Sequence, residues 1–570
     1  MENKKGNKRI AILGGGPSGL FMYKRLIEAE GEDFEITIFE RKNQLGVGMP
    51  YSTEGASDEH ITNVSDNEVP DFVSSIEEWT KVAPTELLAR YQISPANFNE
   101  YKVLPRLFFG AYLNAQFQLL LEKANLNGKP TTIKLGFQVS DIINKQALNE
   151  VWVLGEDKSV HQFDKVIVAT GHNWPHTHEG AIKGYYDSPY PPVKIALKLN
   201  HPVALKGSSL TAIDAIRTLS RKNGRFKKNK NGDKFYELEK GSEHFKMIMH
   251  SRNGMLPAVR FHLEDSRLKN DSLLTINDFA DHRVENDGFI SLDFVFEKDF
   301  KEIFKEKDPS FYELIKDLDV EEFVDKMMEL REQLDPFQLL KAEYIQAEKS
   351  IKRKESVYWK EMLAILSFSM NYPAKYFSAE DMLRLQKKLM PLISIVIAFV
   401  PQSSCEELMA LHEAGVLDII SVGNDSEIEI APGGGIVYHY KNEDGENVAV
   451  PFETFIDCVG QPHLSFKKFP FKSLVDNHDI SEARLKFRDL KVAKEELNHE
   501  NENVFEVEGE YYLTVPGITI NDNFQIVDEQ GSANSNIYVM AVPYIGGFNP
   551  DYSGIDFCEE ASKRIIAQLA

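Results

Sequence analysis

The chain has 570 residues with 65 Lys plus Arg against 88 Asp plus Glu, a formal charge of −23. So acidic a chain lacks the basic face that nucleic acid or an anionic membrane surface demands, and neither is expected as a partner. Its length suits about three or four domain-sized units, and its three cysteines, Cys405, Cys458 and Cys558, lie far apart with no C-x-x-C, which excludes a disulfide framework and a redox dithiol and fits a reducing cytoplasm.

The N-terminal "MENKKGNKR" runs straight into a strand, with no apolar stretch of the signal-peptide kind. The strand, Ile10 to Leu13, feeds Gly14-Gly15-Gly16-Pro17-Ser18-Gly19 and then an apolar-periodic helix. This is G-x-G-x-x-G between strand and helix, the setting in which glycines admit a tight turn and let a pyrophosphate approach backbone N–H groups at a helix N-terminus. A second strand, "FEITIFE", ends at Glu40, where an acid is placed to bond a ribose hydroxyl. Residues 46–113, rich in Gly, Pro, Asn and aromatics, read as irregular lining. Strand-like patterns return between 131 and 170 and end in "FDKVIVATGHNWP", with Thr170-Gly171 closing the strand and Pro175 stopping it.

A second strand, glycine turn and helix follow in "HPVALKGSSLTAIDAIRTL", where Gly207, Ser209 and Ala212 hold the G-x-G-x-x-G/A positions, Ser replacing the middle glycine. A basic hairpin turning at Asn231-Gly232 leads to the strand in "FKMIMHSRNGMLP". The first of these units ends its second strand in an acid, the second in His250-Ser251-Arg252. Arg252 either pairs with a ribose 2′-phosphate, favouring NADPH over NADH, or packs on the sheet edge. From 261 to about 390 long charged helical patterns predict an inserted helical domain, and "LISIVIAFV", too short to span a bilayer, reads as buried core. Beyond 400 the α/β pattern resumes and closes with a strand, a glycine-rich loop holding Gly546 and Gly547, and a final helix. Among the described motif types there is no G-x-S-x-G, H-E-x-x-H or Cys/His cluster, so hydrolase and metal chemistry lack support and no metal is expected.

The segments GGGPSG, ATGHNWP ahead of a second glycine motif, FIDCVGQ and the terminal strand-GG-helix together resemble the flavoproteins with two dinucleotide-binding domains. Within these the chain is most similar to the bacterial FAD-NAD(P)-binding family, related to flavin-containing and N-hydroxylating monooxygenases. The resemblance implies an α/β fold of two Rossmann-like dinucleotide-binding domains, a discontinuous FAD domain and a nested NADP domain, with a helical insertion. The boundaries expected are 1–185 and 426–570 for the FAD domain, 186–260 and 391–425 for the NADP domain, and 261–390 for the insertion.

It also implies roles. FAD would rest its pyrophosphate over Gly14, Gly16, Pro17, Ser18 and Gly19, its ribose on Glu40 and its adenine beside Arg41. Val139 is either a backbone partner of the adenine or a plain strand residue. Thr170 and Gly171 lie where the chain crosses between the cofactor domains. Met49, Asn63 and Arg106 are candidates near the isoalloxazine, Arg106 being equally placed for an ion pair. Gly546 and Gly547 are assigned to the pyrimidine end, although Ala541-Val542 stand where the wider pattern has Gly-Asp; Asp551 and Asp556 are candidate substitutes, Asp556 reading first as a cap or surface residue of the last helix. Gly207, Ser209, Ala212 and Arg252 would hold NADPH. His60 and His172 are read as satisfied loop or core residues, and no catalytic residue is named.

The activity expected is NADPH-dependent monooxygenation of a small molecule through a flavin hydroperoxide, in the cytoplasm. The alternatives are a reductase that passes electrons onward without inserting oxygen, and a flavin-binding interaction protein.

Overall fold

The computed structural model describes residues 7–569 apart from 32, 71, 130, 173, 175, 265–273, 462, 552 and 553, and the side chain of residue 330. Pro175, expected to stop a strand, therefore lies outside the described residues. Two parallel sheets organise the chain. The first is built from β1 (Lys8–Leu13), β2 (Phe34–Glu40), β3 (Thr131–Leu135) and β4 (Lys165–Val168), and the second from β5 (Tyr185–Tyr186), β6 (Pro202–Lys206), β7 (Lys246–Ser251), β8 (Leu417–Ser421) and β9 (Thr454–Asp457). The chain then returns to the first sheet through β10 (Gln525–Val527) and β11 (Ala533–Val539). The spatial orders are β10-β11-β4-β1-β2-β3 and β8-β7-β6-β9-β5. All pairings are parallel except β10 with β11.

Ile10, Ile12, Ile36 and Ile38 are buried on paired strands, as parallel strands covered on both faces must be. The helices that cover them begin where the sequence turns: α1 (Pro17–Glu28) after the first glycine motif, α2 (Arg106–Leu126), α3 (Leu210–Asn223) after the second, and the terminal α4 (Gly554–Leu569) against α1. Helix α2 corrects the irregular reading of residues up to 113. It starts at a Pro105 cap and buries Phe108, Phe109, Tyr112, Leu113 and Phe117 in the first core.

The second unit runs further than the 425 boundary expected. A three-stranded antiparallel meander, Glu427–Ile430, Ile436–Lys441 and Asn447–Phe452, serves as the crossover between β8 and β9. It packs Ile436, Tyr438 and Phe452 on Ala204 and Phe455. Thr454–Asp457 hydrogen-bonds along β6, so the chain leaves the second sheet only after Asp457.

The helical segment is not a separate globule. Phe296, Phe300, Phe323, Leu363 and Ile365 share the core of the first sheet, whereas Phe337, Leu340 and Ala347, on the helix Pro336–Arg353, belong to that of the second. Between them Glu343 accepts from Arg331 at 2.7 Å and Lys360 at 2.7 Å, all three nearly buried, and Arg331 also donates to the carbonyl of Leu256 at 3.2 Å. Glu343→Ala leaves two cations buried without a counter-charge. It is expected to cost about 3–5 kcal/mol, read as a lower urea midpoint for the loss of tertiary signal.

Candidate functional site: two glycine turns and the cleft between strands and helix

Each glycine turn is fixed by a close approach to the strand beside it. Gly14 has φ +111°, and a Cβ there would lie 2.5 Å from the carbonyl oxygen of Ala169 at the end of β4. A Cβ on Gly19 would lie 2.1 Å from the carbonyl oxygen of Gly14, so α1 can sit this close to β1 only without side chains. Pro17 occupies the first helical turn and no side chain caps the helix, which leaves its first N–H groups to an external acceptor. Glu40 closes the turn from the other side: its carboxylate accepts from the N–H of Gly15 at 2.7 Å and of Lys42 at 2.9 Å.

Two contiguous cavities follow from this geometry, of about 160 Å³ and 280 Å³. Gly14, Glu40, Arg41, Thr170, Gly171 and His172 line both. Gly16, Pro17, Ser18 and Met49 line the first, where Val542, Pro543, Gly554, Ile555 and Cys558 form the opposite wall. Val139 lines the second together with Phe137 and Gln138. The hydroxyl of Thr170 is buried in this wall with no hydrogen-bond partner among the described residues. An extended dinucleotide fits these features: glycines and an uncapped helix N-terminus for a pyrophosphate, a carboxylate beside them for a ribose, and an unspent hydroxyl where the chain leaves the sheet. His172 is kept below its usual pKa, mainly by burial and against a bond to Gln461.

Other expected site residues lie elsewhere. Arg106 is not in the cleft wall. Its guanidinium donates to Asp214 at 2.6 Å and to the carbonyl of Ile61 at 3.1 Å, and Tyr190 donates to the same carboxylate oxygen at 2.6 Å. Burial opposes the charge on Arg106, but Asp214 and Tyr190 outweigh it and raise the pKa. His60 completes the cluster. Its Nδ1 accepts the N–H of Ser57 at 2.9 Å, so Nε2 bears the proton and faces the carbonyl of Asp214 at 3.2 Å. Burial, first among several opposing influences, lowers the His60 pKa. Asn63 gives its carbonyl to the guanidinium of Arg260.

Gly546 and Gly547 also face away from the cleft. A Cβ on Gly546 would fall on the ring of His463, and Gly547 donates to Pro516 at 2.8 Å. Gly546 and His463 instead line a chamber of about 630 Å³ closed by Leu383, Gln386 and Met390 of the helical segment. Burial pushes the His463 pKa down to about 4. Asp551 is buried beside Asn371, to which its N–H donates at 3.0 Å, and Asp556 stands in the first turn of α4.

At the second turn Gly207 repeats the constraint of Gly14, with φ +107° and a Cβ position 2.9 Å from the carbonyl oxygen of Cys458. Ser209 is the N-cap residue of α3 but makes no side-chain cap bond, and Ala212 is buried in the second core. Arg252 follows β7 exposed, its guanidinium without an ion-pair partner among the described residues.

Cys558 is one of several cleft residues that sequence reasoning passed over, with Gly48, Tyr51, Pro543 and Ile555 among the others. It sits one turn into α4, its thiol 3.2 Å from the hydroxyl of Ser18 and 3.2 Å from the carbonyl of Gly554, and burial pushes its pKa up to about 12. The signal was its spacing of four from Gly554 at the start of the last helix.

Because Arg106 is held by Asp214 rather than aimed into the cleft, Arg106→Ala is expected to lower stability by about 3 kcal/mol or more through the buried carboxylate it strands. Chemical unfolding checks this. FAD content in the protein that remains folded should stay near that of the parent.

Residues 11–173 match the family model described as FAD-NAD(P)-binding, and residues 275–397 match that of the YdhS-like middle domain. The curated Escherichia coli (strain K12) protein "Uncharacterized protein YdhS" is 28% identical over 473 residues, covering 82% of this chain and 86% of that one. Among solved structures, the FAD-bound cadaverine monooxygenase DfoA of Erwinia amylovora aligns with TM-score 0.46 at 9% identity, over 99% of this chain and 95% of that one. The ornithine N-hydroxylase KtzI of Kutzneria sp. 744 aligns with TM-score 0.45 at 10% identity, over 98% of each chain. No helix among the described residues is long and apolar enough to cross a membrane. Residues 11–173, which carry the first glycine turn, Glu40 and Thr170-Gly171, are thus similar to an FAD-NAD(P)-binding domain, and 275–397 to a YdhS-like middle domain.

Proposed function

We propose that this chain is an FAD-dependent oxidoreductase that takes electrons from NADPH and acts as a monooxygenase on a small molecule. The observation that carries the reading is the pairing of two glycine turns, at Gly14 and Gly207, each opening an uncapped helix at the end of a parallel sheet. One turn belongs to the FAD-NAD(P)-binding match. The other ends its unit in Arg252 rather than an acid, which suits a 2′-phosphate.

Bound FAD would supply acceptance of two electrons from NADPH and, once reduced, reaction with oxygen. The chain's own residues then bind, orient and exclude water. Gly16, Ser18 and Gly19 offer backbone donors to the pyrophosphate while Gly14, whose N–H donates to the carbonyl of Phe39 at 2.8 Å, allows the close approach, and Glu40 offers its remaining lone pairs to a ribose. Met49 and Pro50 on one side and Val542 and Pro543 on the other give the inner end of the cleft apolar walls.

Purified protein is expected to be yellow with about one FAD per chain. Gly16→Val should give colourless protein, since any Cβ at 16 already lies 3.2 Å from the Cα of Gly48 and the larger side chain fills the pyrophosphate approach. Colourless parent protein that takes up no FAD on titration overturns the reading. Arg252→Ala should weaken NADPH by roughly 1.5–3 kcal/mol and leave NADH nearly unchanged, as measured by flavin reduction with each nucleotide. An equal loss for both means that Arg252 is structural. Oxygen insertion is separated from plain electron transfer by mixing anaerobically NADPH-reduced protein with oxygen. Return of the oxidised spectrum through a resolved intermediate phase supports the monooxygenase, and return in one step favours a reductase.

A further inference from the structure

Behind the terminal helix lies a cavity that the redox chemistry does not use. It measures about 270 Å³ and opens between the helical segment, which contributes Phe279, Asn371, Tyr372 and Lys375, and the first domain, which contributes Asp522, Phe524, Asn549, Phe557 and Arg564. Helix α4 separates it from the dinucleotide cleft. Gly554, Ile555 and Cys558 line the cleft, whereas Phe557, Glu560 and Arg564, spaced by three and four, face the cavity from another side of the same helix.

The charged groups here are mostly spoken for. Asp522 accepts both tyrosine hydroxyls on one oxygen, Tyr372 at 3.1 Å and Tyr376 at 2.8 Å, and its other oxygen is 3.0 Å from the ammonium of Lys375. Glu560 accepts Nε of Arg564 at 2.7 Å. Arg283, stacked on the Tyr376 ring at 3.7 Å, stands outside the lining, as do Asp278 and Asp299, which accept from Thr275 and Leu274. Two functions remain unspent. The terminal amino groups of Arg564 make no hydrogen bond with the described residues, its guanidinium lying over the Tyr372 ring at 5.1 Å. Asn549, 3% exposed, gives its amide N–H to the carbonyl of Asn371 at 3.4 Å, which orients the amide and leaves its buried Oδ1 with no partner. A buried acceptor left so is costly unless a ligand or water meets it.

We propose that this cavity binds a small organic acid that also carries a hydrogen-bond donor. The carboxylate pairs with the free edge of Arg564, the donor meets Oδ1 of Asn549, and an apolar body lies among Phe279, Phe524 and Phe557. A carboxylate suits the fork of a guanidinium in two parallel bonds, and the unspent cationic edge of Arg564 favours an anion over a cation. The site stands independently of the flavin reading, since it requires neither cofactor nor turnover.

The experiment is calorimetric titration of the full chain as purified, with whatever cofactor it carries, with three probes: 4-hydroxyphenylacetate, its amide 4-hydroxyphenylacetamide, and phenylacetate. The first should bind, and each of the others should bind about tenfold or more weakly, the loss of one charge-assisted or buried hydrogen bond. Arg564→Gln should weaken the first probe by about tenfold or more while Arg564→Lys keeps part of the affinity. Asn549→Ala should abolish the preference for the hydroxylated acid. Binding should persist in the presence of saturating NADP+. Equal affinity for acid and amide, no measurable binding of any probe, or displacement by NADP+ overturns the proposal, and these comparisons stand on the parent protein even where a variant fails to fold.

Discussion

One buried carboxylate holds the two sheets in register. Asp214 sits on α3, the helix that opens at the second glycine turn, and receives Arg106 from the first turn of α2, which belongs to the first sheet's core. Tyr190, in the segment joining β5 to β6, meets the same oxygen, and His60 meets the backbone of Asp214 from the loop ahead of α2. Such a cluster adds little net stability over apolar packing, because burying its charges costs nearly what their attraction returns. What it contributes is geometry: only one placement of α3 against α2 satisfies every donor, so the two cofactor turns are held in a single relation.

The same logic repeats at the turns themselves. Gly14 presses on the carbonyl of Ala169, which precedes Thr170-Gly171, and Gly207 presses on that of Cys458, which precedes Val459-Gly460. In each unit the first glycine of the turn is fixed by the strand along which the chain departs. β4 and β9 occupy equivalent places beside β1 and β6, with Ala169 and Cys458 donating back to Leu13 and Lys206 at 2.9 Å and 2.8 Å. The two crossings are therefore structural counterparts, and the ATG and CVG segments are the sequence trace of that correspondence.

Local signals were legible for physical reasons. Both glycine turns, the 231–232 hairpin turn and the strands feeding them depend on residues within a few positions of one another. Cleft residues adjacent to those signals, Glu40, Arg41, Met49, Val139, Thr170 and Gly171, line the cavities. What failed depends on distance along the chain. The partner of Arg106 is 108 residues away, and that of Asn63 is 197 residues away, so neither could be told from a flavin contact by spacing. Gly546 read as a cofactor glycine because glycine signals close approach, but the approaching group is the ring of His463. The late end of the second unit escaped because the meander between β8 and β9 resembles the strands of a returning first domain in every respect except its pairing.

The helical segment is built as a fixed part of both cores. A lid must open at modest cost, and therefore buries little against the body it covers. Here Phe296, Phe300, Leu363 and Ile365 are sealed into the first core while Phe337, Leu340 and Ala347 are sealed into the second, with Glu343 satisfied between Arg331 and Lys360. Moving the whole segment would open both cores at once. The cavity beside Gly546, open to solvent on its other sides, is therefore bordered by a fixed wall with Leu383 and Met390 as its apolar face. Removing the segment would strip apolar surface from both cores at once, so the integrity of the two sheets is tied to the helices inserted between them.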